Sequence, residues 1–215
     1  MSTARISVLL VDDHAVVREG YRRLLERASD LQVAGEATSG EAAVEQWQLL
    51  QPQVTVMDIS LPGCSGIEAT RRILALAPDA RILMFSMHED GVYARRALQA
   101  GACGYLTKAG APEALVDAVR CVATGGQYID PAVAGDLSSD ARAAAEQGPD
   151  ALSPREFEVL RLLAQGHAVR TVAERLGVSV KTVANQQTVI RQKLGAETPL
   201  QLLHAAVRLG LVEEG

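Results

Sequence analysis

Acidic, hydroxyl and lysine side chains follow several apolar runs in the first half of this 215-residue chain, at the point where each run ends. Asp12 and Asp13 follow the first run, and Asp58 follows the third. Ser86 and Lys108 stand at the ends of the fourth and fifth runs. Adjacent carboxylates repel each other and raise each other's proton affinity unless a cation neutralises them. The acidic pair therefore suggests a bound divalent ion.

Oxygen ligands favour a hard ion such as Mg²⁺, which accepts phosphate oxygens beside one or two carboxylates. Asp58 could then attack a phosphoryl group, while the metal and Lys108 neutralise its equatorial oxygens and Ser86 donates a hydrogen bond. Taken alone, each residue has an ordinary structural role, since an aspartate after a strand often caps a turn or helix. Compatible chemistry at four strand ends favours the phosphoryl site.

The elements that would position these side chains alternate along the chain. Five apolar runs predict strands, at residues 6–11, 33–36, 54–57, 82–85 and 104–106. Between them, apolar residues recur every three or four positions, which predicts amphipathic helices. This alternation predicts an α/β fold with a five-stranded, parallel, doubly wound sheet covered on both faces. Because ligands bind beyond the carboxyl ends of such strands, we expect the polar side chains to converge there.

Clear capping signals follow residue 151 and predict four short helices. They are capping boxes at residues 153–156 and 198–201, a serine cap at 179, and glycine stops at 166, 177, 195 and 210. The short joint Gly177–Ser179 between the second and third helices is typical of a helix-turn-helix. We therefore predict a small all-α, four-helix domain.

The third of these helices has a polar face without acidic residues. If Val183 and Ile190 face the core, a rotation of 100° per residue places a polar set on the opposite face. That set is Lys181, Asn185, Thr188 and Gln192. Residues 170–193 hold five basic residues against one acid. Such a surface fits the major groove of double-stranded DNA, although an ordinary solvated face is the alternative.

Charge and composition divide the chain into three parts. Residues 151–215 carry eight basic against six acidic residues, whereas the whole chain has a net charge of −5. Residues 131–150 are rich in alanine and small polar residues, which predicts a linker, with a short helix as the alternative. We therefore predict a domain at 1–130, a linker at 131–150 and a DNA-binding domain at 151–215. No apolar stretch is long enough to span a membrane, which predicts a cytoplasmic protein without membrane contact.

Four motifs give the first part a recognisable identity: VLLVDDH, TVMDISLPG, ILMFSMH and CGYLTKAG. Over about residues 5–125 the chain resembles the receiver domain of two-component response regulators, a flavodoxin/CheY-like fold. The resemblance implies that a sensor histidine kinase phosphorylates Asp58. It also implies that Mg²⁺ is held by Asp13, Asp58 and the carbonyl of Ser60, with Asp12 acting through water. Ser86 and Tyr105 would then switch together, whereas a simple core role is the alternative for Tyr105.

The stretches LSPREFEVLRLLAQGH and TVAERLGVSVKTVANQQTVIRQKLG are similar to the DNA-binding domain of NarL/FixJ (LuxR-type) regulators, across residues 150–212. The resemblance implies that Ala184, Asn185 and Thr188 face bases. Residues implied to lie near the DNA backbone are Thr182, Gln186, Arg191 and Lys193. A basic residue often replaces Ala184 or Thr188 in the family, so base preference does not carry over. The last helix, LQLLHAAVRLGLV, serves dimerisation in the family, with core packing as the alternative.

Together the two halves predict a phosphorylation-regulated, DNA-binding transcription regulator that binds paired promoter half-sites as a homodimer and is not an enzyme. RNA polymerase could be a further partner. The alternative of an aspartyl-phosphate phosphatase commonly needs a second acid where this chain has Ser60. The alternative of a small-molecule sensor would fit the loss of Asp13, Asp58 or Lys108, and all three are present. Phosphorylation would act by releasing inhibition or by inducing dimerisation, and both routes stay open.

Overall fold

The computed structural model describes residues 5–89, 91–110, 112–139, 152–209 and 211. The chain folds as two compact units, Met1–Ser138 and Ser139–Gly215. Across the described residues, none of the helices combines the length and apolar character that a membrane crossing needs.

The first unit is a parallel sheet with the strand order β2-β1-β3-β4-β5-β6, interleaved with helices. Its strands are β1 Ile6–Val11, β2 Leu31–Ala37, β3 Val54–Met57, β4 Ile82–Ser86, β5 Gly104–Thr107 and β6 Tyr128–Ile129. Its helices are α1 Ala15–Arg27, α2 Gly40–Leu50, α3 Gly66–Leu76, α4 Gly91–Gln99, α5 Glu113–Ala123 and α6 Pro131–Ser139. The predicted doubly wound α/β fold is confirmed.

Burial explains why the central strands were easy to recognise. Every residue of β3, β4 and β5 is buried, because helices cover both faces of a parallel sheet. One side of the sheet packs Val8, Val56 and Phe85 against Leu25 of α1 and Val119 of α5. The strand ends are therefore fixed by a continuous apolar core, which holds the polar residues beyond them in place.

The sheet has six strands among the described residues, rather than the five predicted. Strand β6 pairs Tyr128 with Gly104 and Ile129 with Tyr105 in parallel. Two residues are too few to produce a periodic sequence pattern, which is why the strand was missed. The following α6 occupies the start of the predicted linker, with Val133 fully buried, so the short-helix alternative is the observed one there. Residues 140–150 of the predicted linker lie outside the described residues.

Asp130 joins the end of β5 to the start of α6. Its Oδ2 atom accepts hydrogen bonds from the backbone N–H of Thr107 at 2.9 Å and from the Thr107 hydroxyl at 2.6 Å. Its Oδ1 atom accepts from the backbone N–H of Ala132 at 2.9 Å, which caps α6. Burial favours the protonated carboxyl, but these hydrogen bonds outweigh burial and lower the pKa of Asp130.

The second unit consists of α7 Pro154–Ala164, α8 Val169–Arg175, α9 Val180–Leu194 and α10 Pro199–Arg208, which confirms the four predicted helices. Both predicted capping boxes form, Ser153 with Glu156 and Thr198 with Gln201. Gly195 ends α9 in the left-handed conformation, with φ of 62°. Buried Val172, Val183 and Ile190 contribute to the core of this unit.

The variant Asp130→Asn should lower the free energy of unfolding of the first unit by about 1–3 kcal/mol near pH 7, because an amide cannot accept all three hydrogen bonds. Folding lowers the pKa of Asp130, so its stabilisation is present above the unfolded pKa and is lost as pH falls through the lower folded value. The deficit of the variant should therefore shrink as the pH falls to about 3. Urea denaturation at both pH values measures it.

Asp117→Asn is the matched control, because it removes the same charge from a side chain that is 72% exposed and 3.6 Å from Arg120. We expect it to change stability by less than about 0.5 kcal/mol. Equal losses in the two variants would contradict the role given to Asp130.

Candidate functional site

The carboxyl ends of β1 and β3 bring the predicted aspartates together. Asp12 and Asp58 are buried, whereas Asp13 is exposed. Carboxylate oxygens of these three residues and a ring nitrogen of His14 lie within 4.8 Å of one another. The sequence pointed to the three aspartates, but it did not single out His14, whose Nδ1 lies 2.8 Å from Asp13 Oδ1. The cluster is an acidic pocket at the edge of the sheet.

Lys108 enters this pocket from the end of β5. Its Nζ atom donates to Asp12 Oδ2 and to Asp58 Oδ2, each at 2.6 Å. The Lys108 backbone N–H donates to the carbonyl of Ser86 at 2.7 Å, which aligns the ends of β4 and β5. Four strand ends therefore meet at one place, as the alternating pattern predicted.

Burial dominates the electrostatics of the pocket. It raises the pKa of Asp58, although Lys108 opposes the shift and the charge of Asp12 adds to it. Burial alone would lower the pKa of Lys108, but the carboxylates of Asp58 and Asp12 together raise it. Lys108 is therefore charged and is shared by two carboxylates. Because the pocket holds three carboxylates and one lysine, its excess negative charge attracts a further cation.

The loop after β3 packs closely around Asp58. A Cβ atom at Gly66 would lie 1.9 Å from the carbonyl oxygen of Asp58, so only glycine allows α3 to begin there. Ser65 caps α3 by accepting from the backbone N–H of Glu68 at 3.3 Å. The backbone N–H of Ser60 donates to Asp58 Oδ1 at 3.4 Å. The predicted Ser60 therefore borders the pocket.

His88 connects Ser60 with both predicted switch residues. Its backbone N–H donates to Ser86 Oγ at 3.3 Å, and its carbonyl accepts from the hydroxyl of Tyr105 at 2.8 Å. Its ring nitrogen Nε2 lies 3.1 Å from Ser60 Oγ, and its ring stacks on Tyr93 at 4.0 Å between centroids. Sequence reasoning missed His88. Its position two residues after Ser86 was the only available signal. Tyr105 is fully buried, so its core role and its hydrogen bond coexist.

Helix α9 exposes the residues that helical rotation placed opposite the core. All four residues of that set, Lys181, Asn185, Thr188 and Gln192, are exposed, and so is Ala184, which the family resemblance implies to face a base. Helix α8 packs against α9, and Ser179 caps α9 by accepting from the backbone N–H of Thr182 at 3.0 Å. This is the arrangement of a helix-turn-helix, with an outward face free of acidic residues.

The residues implied to lie near the DNA backbone differ in their surroundings. Thr182 is half-buried, and its hydroxyl lies 2.8 Å from Ser179 Oγ. Gln186 and Arg191 are also half-buried. Lys193 Nζ lies 2.7 Å from Glu156 Oε2, the acid of the α7 capping box, so its charge is already paired within the unit. Lys181, on the outer face of α9, is exposed.

Comparison with known proteins assigns both units. Residues 8–120 match the model of the response regulator receiver domain, and residues 150–206 match that of bacterial regulatory proteins of the luxR family. The transcriptional activator protein ExaE of Pseudomonas putida is 39% identical over 210 residues, which cover 96% of this chain and 98% of that protein. The response regulator UvrY of Escherichia coli K12 is 38% identical over 208 residues, covering 96% and 95%.

A solved structure extends the likeness to three dimensions. RcsB from Salmonella enterica serovar Typhimurium, bound to promoter P1flhDC in the presence of the phosphomimetic BeF3-, is 29% identical. The match covers 95% of this chain and 99% of that chain, with a TM-score of 0.61.

The variant Lys108→Met should lower the free energy of unfolding by about 3 kcal/mol, because it leaves two buried carboxylates without their cation. Adding Asp58→Asn to that variant should recover a large part of the loss, since only one buried carboxylate then remains. A double-mutant cycle by urea denaturation measures the coupling between the two sites.

The exposed pair Glu19 and Arg23, 2.7 Å apart one helical turn from each other, provides the matched cycle. Its coupling should stay below about 0.5 kcal/mol. Similar coupling energies for both cycles would show that burial does not control the pocket.

Proposed function

The chain belongs to the response regulators that join a receiver domain to a LuxR-type DNA-binding domain, and from this premise we propose that Asp58 is its phosphoacceptor. As a member of that family it is a DNA-binding transcription regulator. The observation that carries the proposal is the 2.6 Å contact of Lys108 Nζ with both Asp58 and Asp12. It places a fixed cation beside the oxygen that would attack.

The donor would be the phosphohistidine of a sensor histidine kinase. An Asp58 carboxylate oxygen attacks the phosphorus atom, the P–N bond breaks, and its electron pair returns to the imidazole nitrogen of the kinase. Lys108 neutralises the transferred oxygens, and the buried hydroxyl of Ser86 donates to one of them. Desolvation destabilises the ionised carboxylate of Asp58. After transfer, the negative charge lies on phosphoryl oxygens that Lys108 and Ser86 would stabilise.

The acidic pocket fits Mg²⁺, because its three carboxylates are hard oxygen donors and bring more negative charge than Lys108 balances. Asp13, Asp58 and the Ser60 carbonyl would hold the ion, with Asp12 acting through water. When bound, it supplies further charge neutralisation for the transferring phosphoryl group. His14 is a softer ligand, so we assign it to the rim of the pocket.

Phosphorylation would reach the loop after β4 through His88. A phosphoryl group on Asp58 attracts the hydroxyl of Ser86, which now accepts from the His88 backbone N–H. Moving that hydroxyl releases the His88 backbone, whose carbonyl accepts from Tyr105. Ser86 and Tyr105 therefore change together as a local charge event biases a two-state loop.

In the second unit, α9 would enter the major groove and Asn185 would contact a base edge. Lys181, Thr182, Gln186, Arg191 and Lys193 would lie near the DNA backbone. We propose that two copies bind paired promoter half-sites as a homodimer. Helix α10 supports this, because Leu202 and Ala206 fill the core while Leu200 and Leu203 remain 61% and 40% exposed. Core packing and dimerisation thus use different faces of one helix.

The remaining assignments follow from the family and the sequence. We propose the receiver domain at residues 1–130, the linker at 131–150 and the DNA-binding domain at 151–215. We also propose a cytoplasmic location, a regulatory rather than enzymatic role, and RNA polymerase as a partner at the promoter. The names of ExaE and UvrY, an activator and a response regulator, support the regulatory role.

Incubation with Mg²⁺ and acetyl phosphate should add one phosphoryl group to the wild-type protein, measured by intact mass. Asp58→Asn should gain none, because its amide is not a nucleophile. Asp79→Asn, which alters an exposed aspartate just before the amino-terminal end of β4, should gain the group like the wild type. Removal of Mg²⁺ with a chelator should slow the gain strongly. Phosphorylation of Asp58→Asn, or its absence from wild type with a histidine kinase as donor, would refute the assignment.

The variant Leu203→Glu should disrupt dimers of the phosphorylated protein, because two carboxylates would face each other across the pair of α10 helices. Sedimentation velocity should show monomers of this variant. Its affinity for paired half-sites should fall by about tenfold or more. Leu49→Glu is the control, since it introduces the same charge at another exposed leucine, which lies on α2 of the first unit and is 77% exposed. If both variants sediment as the wild type does, α10 is not the dimer contact.

A further inference from the structure

We infer that α9 recognises thymine methyl groups through a stripe formed by Val180, Ala184 and Thr188, named here the methyl stripe. The inference rests on the proposed entry of α9 into the major groove, and it adds the class of base pair that is read. It assigns A·T pairs to the part of each half-site that faces these three residues.

The methyl stripe follows from spacing and exposure. Its members stand four positions apart, so they line up along one side of the helix. Val180 is 50% exposed, and Ala184 and Thr188 are exposed as well. The exposed half of Val180 has no apolar cover among the described residues of its own unit, whereas thymine offers a methyl group in the major groove as an apolar partner.

The hydrogen bond of the Thr188 hydroxyl leaves the methyl group of this side chain to contact a base. Its hydroxyl donates to the backbone carbonyl of Ala184, one turn earlier, at 3.1 Å. This is the usual local bond of threonine within helices, and it turns the oxygen toward the helix backbone. The γ-methyl group is then the part of the side chain available to a base. From the sequence, Thr188 is placed on the polar face of α9, where its hydroxyl would hydrogen-bond to a base edge.

The charge distribution on α9 favours A·T over G·C pairs at the same place. Guanine is most often recognised by arginine or lysine through its O6 and N7 atoms. The methyl stripe contains neither residue, Lys193 is held by Glu156, and Lys181 beside the stripe is assigned to the DNA backbone. Asn185, next to Ala184 and exposed, matches the N6 and N7 atoms of adenine. Asn185 and the methyl stripe would therefore read the two bases of A·T pairs.

The test selects DNA with the full-length, acetyl-phosphate-treated chain from two random duplex libraries, one synthesised with thymine and one with uracil, which lacks only the methyl group. The duplex enriched from the thymine library is then made in both forms, and its affinity for the protein is measured by fluorescence titration. We expect A·T-rich half-sites and an affinity for the uracil form that is lower by about threefold or more per lost methyl contact.

Two variants separate the methyl group of Thr188 from its hydroxyl. Thr188→Ser keeps the hydroxyl and removes the methyl, so the thymine-to-uracil affinity ratio should move toward one. Thr188→Val keeps the methyl and removes the hydroxyl, so the ratio should be retained. Thermal unfolding of both variants checks that the fold is intact. The reverse pattern would overturn the assignment of Thr188.

The outcomes also distinguish this inference from the proposed function. Enrichment of a motif with equal affinity for its thymine and uracil forms would overturn the methyl stripe alone. Failure to enrich any motif would refute DNA reading by this chain and the methyl stripe with it.

Discussion

The contact of Lys108 with two buried aspartates organises the edge of the sheet where the strands of the first unit end. Each of these charges would be costly without the others, because burial penalises the ionised form of every one of them. One ammonium group shared by Asp12 and Asp58 at 2.6 Å therefore fixes the ends of β1, β3 and β5 relative to each other. It also leaves negative charge in excess, which keeps the pocket receptive to a cation.

Strand β5 links that contact to residues outside the pocket. Lys108 follows its last residue, Thr107 donates to Asp130, and the hydroxyl of Tyr105 donates to the His88 carbonyl. Asp130 in turn caps α6, the element from which the chain continues toward the second unit. A change in the position of Lys108 thus acts on residues that are bonded to both the loop after β4 and the start of α6. This chain of hydrogen bonds is the route by which the proposed phosphorylation would act outside the pocket.

The sequence was sufficient for features that depend on periodicity and capping. Five strands, the convergence of their ends, four capped helices and the outward face of α9 all follow from local patterns. Features that depend on one tertiary contact were not predictable. His88 matters because its backbone meets Ser86 and Tyr105, and β6 exists because two residues find the edge of β5. Likewise, the pairing of Lys193 with Glu156 joins positions 37 residues apart.

The composition of α9 affects the affinity of this regulator for DNA as well as its specificity. Contacts with phosphates supply most of the binding free energy and the salt dependence of a DNA-binding domain. Here one lysine of the outer face is open, another is paired internally, and the positions of Ala184 and Thr188 carry no charge. Helix α9 of a single copy therefore brings few charges to one half-site, and Arg170 and Arg175 of α8 add to them. Linking two copies converts the second binding event into an intramolecular one, which compensates for weak individual contacts. In the proposed homodimer, the contact between the two copies would add to promoter affinity, whether phosphorylation induces that contact or releases inhibition.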